Sequence, residues 1–472
     1  MDSFKIRMEE KLGLVHLSPQ KSCIFKVHHE LRKVNEKAYS PVLISIGPYH
    51  YERRKLDLQF MEQHKWRYLN DMIRRKESSE GTSRDDLLGR CFKILEEHEV
   101  RARGFFAVPF GKVEFIEMML VDSCFILEYF RKCALREEKE VDPLFQADWI
   151  GNCLSRDLVL IENQIPFFVL TELLSVIGPW PNPNPLCLVY AAVNCLSVYR
   201  HLGTDQGTIA SKFALQSISD LVPLGLLPRA ISEEKGKLNV GSLQDIKHLL
   251  DLVRKFMFLE DILLLDGETI DNQVTRQPER GKDEDLMDPQ KRIHTASKLR
   301  EFGVKFKSVS KRKYYDIKFD NGILEIPILL VDDGTECYFR NLIAYEQHAY
   351  NNLSTSVRDY MCFMDGLIDS SKDVELLRRH GIIDGLLGDD EAIATMFNNI
   401  TTHTLIKQDY YYKQVIHDLS EHCKKRRHVW MAILRMNYLH SPWEILSVLA
   451  AFLLLVLTFM QTIYTALSYY HA

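Results

Sequence analysis

The sequence predicts a mostly α chain of the α+β kind: a helical cytosolic body with a small antiparallel β-sheet, plus one C-terminal transmembrane helix. Three observations carry this. Apolar residues recur at helical spacing through most of the chain, as at Trp66, Leu69 and Ile73. Short apolar runs flank the pair Asn321-Gly322, the signal of a hairpin turn of the I′ kind. Residues 445–470 carry no formal charge. The 472 residues are 46% hydrophobic and 26% charged, a globular balance that excludes disorder throughout. Sixty Lys and Arg against 65 Asp and Glu give a net charge of −5, so no global positive field exists to hold nucleic acid.

From the N-terminus, residues 23–27 and 42–46 read as strands, the second ended by Gly47-Pro48. A helix follows around Trp66. Residues 74–86, RRKESSEGTSRDD, read as a polar, mobile surface insertion. The stretches 113–130 and 157–176 are so apolar that their helices must be buried on most sides. The run GPWPNPNP at 178–185 excludes helix and inner strand. Residues 268–295 are the clearest interruption, with 12 charges in 28 residues, and are expected to stay mobile. The small antiparallel sheet is expected from 304–306, 316–319 and 323–331. Ser370-x-x-Asp373 opens a helix as a capping box, Gly381 closes it, and Asp389 or Asp390 caps the next. The ten cysteines form no CxxC pair and read as reduced core residues.

The charge-free tail is long enough for a bilayer span, with Trp443 and Tyr464 placed as interfacial anchors. Lys424, Lys425, Arg426 and Arg427 precede it, and the positive-inside rule then places residues 1–443 in the cytosol and 444–470 in a plasma membrane or endomembrane. Ser447, Thr458, Gln461, Thr462, Thr465 and Ser468 share one helical face, which Ala451 joins to give a small-xxx-small site. This stripe reads as a contact with another helix, including self-association through the tail, or as hydroxyls bonding back to their own helix.

No nucleophile elbow, phosphate loop, dinucleotide fingerprint or zinc signature is present, and no metal or cofactor is expected. Three polar groups stand out: Glu62-Gln63-His64, Glu162-Asn163-Gln164 and Glu346-Gln347-His348. Set in apolar runs, they need partners. One reading pairs Glu162 with Glu62 or Glu346 as acid and base of a hydrolase-like site. The other makes Glu62, Glu162, Asn163, Gln164, Arg340, Glu346 and Gln347 a structural polar network, with Arg156, Arg340 or Lys65 as counterions. The absence of a nucleophile or metal set favours the network.

The strings AYSPVLISIGPYH (38–50), MEQHKWRYL (61–69), DSCFILE (122–128), RDLVLIENQIPFFVL (156–170) and EFGVKF (301–306) resemble a plant-specific family catalogued as domain of unknown function 247. So do DIKFDNGILEIPILLVDDGTECYFRNLIAYEQ (316–347), DVELLRRHGII (373–383) and the tail at 441–470. His28 stands where the family pattern usually has proline, and Ser123 where it usually has glycine. The resemblance implies a mostly helical, membrane-attached plant protein without assigned catalytic residues. Some members are linked to recognition in pollen self-incompatibility and others to stress or growth responses. The expected role is therefore non-enzymatic recognition or signalling through protein contacts, the alternatives being a membrane-tethered hydrolase-like enzyme and a structural adaptor.

Overall fold

The computed structural model describes residues 22–108, 110–134, 142–178, 185–196, 246–263, 293–309, 315–348, 356–385, 387–404, 410–424 and 442–471. After the short α1 (His29–Val34), three long helices follow: α2 (Gln59–Glu80), α3 (Arg84–Arg103) and α4 (Lys112–Ala134). The apolar α4 is the axis of the first half, packing on α2, α3, α6 (Phe167–Ile177) and α7 (Pro185–Cys195). A ladder of stacked rings runs along the α2–α4 seam: Tyr68 on Phe125 at 5.3 Å, Phe125 on Tyr129 at 5.8 Å, and Tyr129 on Phe145 at 5.5 Å.

Residues 74–86 are not a loop. Helix α2 continues to Glu80, Gly81 ends it at φ 65° with its N–H on the Glu77 carbonyl, and Ser83 caps α3 by accepting from the Asp86 N–H. The polar sequence belongs to the solvated ends of two helices, whose caps supply the turn. The apolar run 157–176 is likewise not one helix. Helix α5 (Asp148–Asp157) ends at its first residue and α6 starts only after Pro166, leaving a buried connection that carries Glu162, Asn163 and Gln164.

Helix α8 (Leu249–Leu263) and α9 (Ala296–Glu301) lead to the sheets. Strands β1 (Lys305–Val309) and β3 (Ile323–Pro327) pair in parallel, Lys305 opposite Ile323, while β2 (Lys318–Asp320) pairs antiparallel with β3. The sheet is therefore mixed, and only its hairpin is antiparallel. Asn321 and Gly322 make that turn at φ 49° and 77°, as type I′ requires. The run 323–331 splits because Pro327 has no N–H to extend a ladder; β4 (Leu329–Val331) pairs instead with β5 (Ile383–Gly385) in a second, parallel sheet.

The second half closes with α10 (Thr335–His348), α11 (Ser356–Leu367), α12 (Ser371–Arg379), α13 (Asp390–Ile400) and α14 (Lys413–Lys424). Ser370 and Asp373 form the capping box of α12, Gly381 follows it at φ 67°, and Asp389 caps α13. Cys133 on α4 and Cys195 at the end of α7 are bonded, with Cα atoms 5.8 Å apart. The sequence reading of reduced cysteines misses this pair, because 62 residues separate the partners and only helix packing joins them.

The tail is helical as α15 (Pro442–His471). Among the described residues, however, no helix is long and apolar enough to cross a membrane, which overturns the transmembrane anchor over 444–470. The described side chains of α15 include the polar residues Thr458, Gln461, Thr462 and Thr465. Of residues 268–295, the structure describes only 293–295.

Residues 23–27 and 42–46, read as strands, join neither sheet. They are irregular backbone with bends at Ile24, Val42 and Leu43, and Gly47 turns the second piece at φ 69°. A Cβ at Gly47 would meet the Gln164 carbonyl oxygen at 2.4 Å, and both atoms belong to fixed backbone. We expect Gly47→Ala to cost about 2 kcal/mol or more from the left-handed conformation and the clash together. Gly89, exposed within α3 with nothing within 4 Å of its Cβ position, is the control. Gly89→Ala should leave stability unchanged or raise it by about 0.5–1 kcal/mol. Chemical denaturation of the two variants checks the contrast, and equal midpoints would sink it.

Candidate functional site

The irregular segments 23–27 and 42–46 present backbone N–H groups with no strand to pair with, and the buried ones among them each need an acceptor. Side chains from three other segments supply them. The Asp157 carboxylate, at the end of α5, accepts from Leu43 N at 2.7 Å, Ile44 N at 3.0 Å and Val42 N at 3.0 Å. Asn163 accepts from Ile46 N at 2.6 Å and donates to the Ile44 and Asp157 carbonyls. Asp122 of α4 accepts from Gly47 N at 2.8 Å, and Glu162 accepts from Val27 N at 2.7 Å.

Each carboxylate also has a cation. Glu162 holds Arg32 at 2.5 Å and faces His50 Nε2 at 3.3 Å. Asp122 holds Arg54 at 2.6 Å and Lys65 at 2.8 Å, and all three side chains are buried. Lys65 also donates to the Ser45 carbonyl and pairs with Glu62 at 2.6 Å. Burial pushes the Asp122 carboxyl up, but Arg54 and Lys65 outweigh it and hold it below the usual carboxylate range. The same balance, struck by His50, Arg32 and the Val27 N–H, leaves Glu162 lowered. Asp157 goes the other way: burial raises it, and the N–H groups of residues 42–44 with Arg156 offset this only in part.

Gln164 donates to the Leu158 and Leu160 carbonyls and accepts from Leu250 N, tying the α5–α6 connection to α8. Glu346, on α10, pairs with Arg254 of α8 at 3.0 Å and accepts from Arg358 N and Val357 N; burial raises its carboxyl despite Arg254. Arg340 is not its counterion. It pairs with Glu336 at 2.7 Å and donates to the Asn399 carbonyl, while Gln347 donates to Thr404 at the surface. Glu62, Glu162 and Glu346 therefore serve three different cation sets. Neither Glu162 nor Glu346 borders the open cleft of about 310 Å³ between α2 and α4, which Glu62 does line.

The sequence reading missed Asp122, Asp157, Arg54, Arg32, Asn341 and Arg254. Asn341 accepts from Ile161 N at 3.0 Å and donates to the Ala38 carbonyl at 2.7 Å, joining α10 to the α5–α6 connection and to the helical turn Glu36–Tyr39. The available signal was the one that singled out Glu162: a lone polar residue inside an apolar run, as in MLVDSCF for Asp122. Also missed was the buried pair His248 and Asp251, in which Tyr345 donates to Asp251 at 2.9 Å and Asp251 N donates to His248 Nδ1. Burial brings His248 down to about 4, against Asp251, with Lys247 and Lys255 also lowering it.

In the tail, Tyr464 is exposed, as are Ala451, Thr458, Gln461, Thr462 and Thr465. The Thr458, Thr462 and Thr465 hydroxyls donate to carbonyls four residues back in their own helix. Ser447 is exposed and Lys424 ends α14 paired with Glu421. Lys425, Arg426 and Arg427 lie outside the described residues, and so do the side chains of Trp443 and Ser468.

Residues 24–457 match the model of the family described as plant protein of unknown function, domain of unknown function 247. The chain belongs to this family. It is 27% identical over 469 residues to the UPF0481 protein At3g47200 of Arabidopsis thaliana, covering 98% of this chain and 90% of that protein. It is 28% identical over 488 residues to the putative UPF0481 protein At3g02645 of the same plant, covering 93% and 89% respectively. No solved structure matches the chain at a significant level.

Asp122→Asn removes the shared anion of two buried cations and should cost about 3–5 kcal/mol. Glu117→Gln, on an exposed neighbour in the same helix, should change stability by less than about 0.5 kcal/mol. Urea titration of both variants checks this; similar midpoints would show that Asp122 is not an anchor. His248 supplies a pH test. Its imidazole is neutral in the fold, whereas the unfolded chain takes up a proton below about 6.5, so stability falls as pH drops from 6.5 to about 4. The loss attributable to this group is about 3 kcal/mol across that window. His248→Gln should flatten that limb of the stability–pH curve, and an unchanged slope would contradict the assignment.

Proposed function

We propose that the chain is a non-enzymatic recognition or signalling protein that works through protein contacts, among them pairing of α15 with α15 of a second copy. One observation carries the pairing. Leu449, Phe452, Val456, Phe459 and Ile463 are 53%, 65%, 42%, 68% and 41% exposed, and they follow one another at spacings of three and four residues. That is the a/d spacing of a coiled coil over about two heptads, in a helix whose Leu453, Leu454, Leu455 and Leu457 are exposed as well, and apolar side chains left in water are unfavourable until another helix covers them. A second copy presents the same seam, so the contact is self-complementary. Thr458, Thr462 and Thr465, whose hydroxyls bond back to their own helix, lie on the opposite face and leave the seam itself apolar.

The non-catalytic part of the reading is supported by the polar groups. Glu162 and Glu346 are buried, each is held by an arginine and by backbone N–H donors, and neither borders the cleft. A general acid or base has to reach a substrate proton, and these carboxylates face only protein. On the strength of the family resemblance, pollen self-recognition and stress or growth responses are the settings to examine first.

Light scattering on the full chain tests the pairing. The wild type should run at the mass of two 55.1 kDa chains, and the double variant Phe452→Glu, Phe459→Glu at the mass of one. Both side chains are exposed, so the melting temperature of the body should not move. A wild type that stays single at tens of micromolar, or a variant that still pairs, would overturn it.

A further inference from the structure

The cleft between the N-terminal halves of α2 and α4 has a volume of about 310 Å³, within the range of ligand sites, and does not involve α15. Its floor is apolar: Met118 and Val121, both almost wholly buried. From α2 comes the Trp66 indole, 49% exposed, and from α4 the exposed carboxylate of Glu117. The two cations bordering the cleft gather at its Tyr51 wall. Arg54 is held by Asp122 and lies over the Tyr51 ring at 4.9 Å, and Lys55 lies over the same ring at 5.8 Å. Glu62, the other acid at the rim, is held by Lys65. Among the described residues, neither the Trp66 ring nor the Glu117 carboxylate has a cation against it.

An aromatic face and a carboxylate above an apolar floor complement a cation carried on an apolar stem. Arginine meets this better than lysine, because a planar guanidinium stacks on an indole while offering two parallel N–H donors to a carboxylate. We propose that the cleft binds an arginine side chain of a partner polypeptide, its methylenes on Met118 and Val121 and its guanidinium between the Trp66 ring and Glu117.

Fluorescence anisotropy of the full chain with a fluorescein-labelled peptide, acetyl-Gly-Ala-Arg-Ala-Gly-amide, tests this. Two sister peptides replace arginine by citrulline, its uncharged isostere, or by glutamate. The arginine peptide should bind at least about tenfold more tightly than the citrulline peptide, and the glutamate peptide should not bind. Trp66→Ala and Glu117→Gln should each weaken binding about tenfold, with Glu117→Gln also flattening its salt dependence, at unchanged melting temperature. The double variant Phe452→Glu, Phe459→Glu should bind like the wild type, which separates this result from the pairing of α15. Equal binding of arginine and citrulline peptides, preference for glutamate, no binding of any peptide, or full affinity in both cleft variants would each overturn the proposal.

Discussion

The backbone N–H groups of Val42, Leu43, Ile44, Ile46 and Gly47, the last three buried, have no strand to pair with, and the way they are satisfied conditions much of the first half of the fold. A β-ladder would have answered them from one neighbour. Here three side chains from three places in the chain answer them: Asp157 takes residues 42–44, Asn163 takes Ile46 and Asp122 takes Gly47. An acceptor that fails leaves a buried donor unpaired, at a cost of about 1–3 kcal/mol. The irregular segment thus fixes where α4, α5 and the α5–α6 connection stand relative to one another. Asn341 carries the same constraint into the second half by holding the Ala38 carbonyl and the Ile161 N–H together.

The charges buried by this arrangement respond to acid with opposite signs. Asp122 and Glu162 titrate lower in the fold than in the unfolded chain, so their contribution is present above the ordinary carboxylate values and is lost as pH falls through them. Asp157 and Glu346 titrate higher, so theirs grows as pH falls through the raised value. The difference lies in the partners. Asp122 faces two buried cations, whereas Asp157 faces mainly neutral N–H dipoles, which offset its desolvation less completely.

Helical periodicity made α2 and α4 legible, and local chemistry fixed the Asn321-Gly322 turn and the caps of α12 and α13, because those signals act within a few residues. Residues 23–27 and 42–46 have strand-like composition, yet the Val27 and Ile44 N–H groups donate to side chains more than 100 residues away. Composition cannot show that. Parallel pairing of β1 with β3 and of β4 with β5 is equally non-local. Glu162, Asn163 and Gln164 stood out as polar residues in an apolar run, but Arg32 and Arg254 did not, since a cation on an amphipathic helix looks the same whether it faces water or a buried carboxylate. The tail shows the converse limit: absence of charge reads as a membrane span, whereas among the described residues the structure shows a helix not long and apolar enough to be one.

A body whose buried ionisable groups are tied to backbone leaves its adaptable chemistry at the surface. Moving Asp122 or Glu162 to meet a substrate would leave N–H donors of the irregular segments and cations unpaired in the core, so these groups are too costly to move. Trp66 and Glu117 carry no such burden: the first projects from α2 and the second from α4, whose buried faces are fixed by the Tyr68–Phe125 stack and by the Lys65–Asp122 pair. The rigid interior therefore holds the cleft's two walls at a set spacing, so binding there pays little to order them. Variation at the rim can then change what is recognised without disturbing the core that positions it.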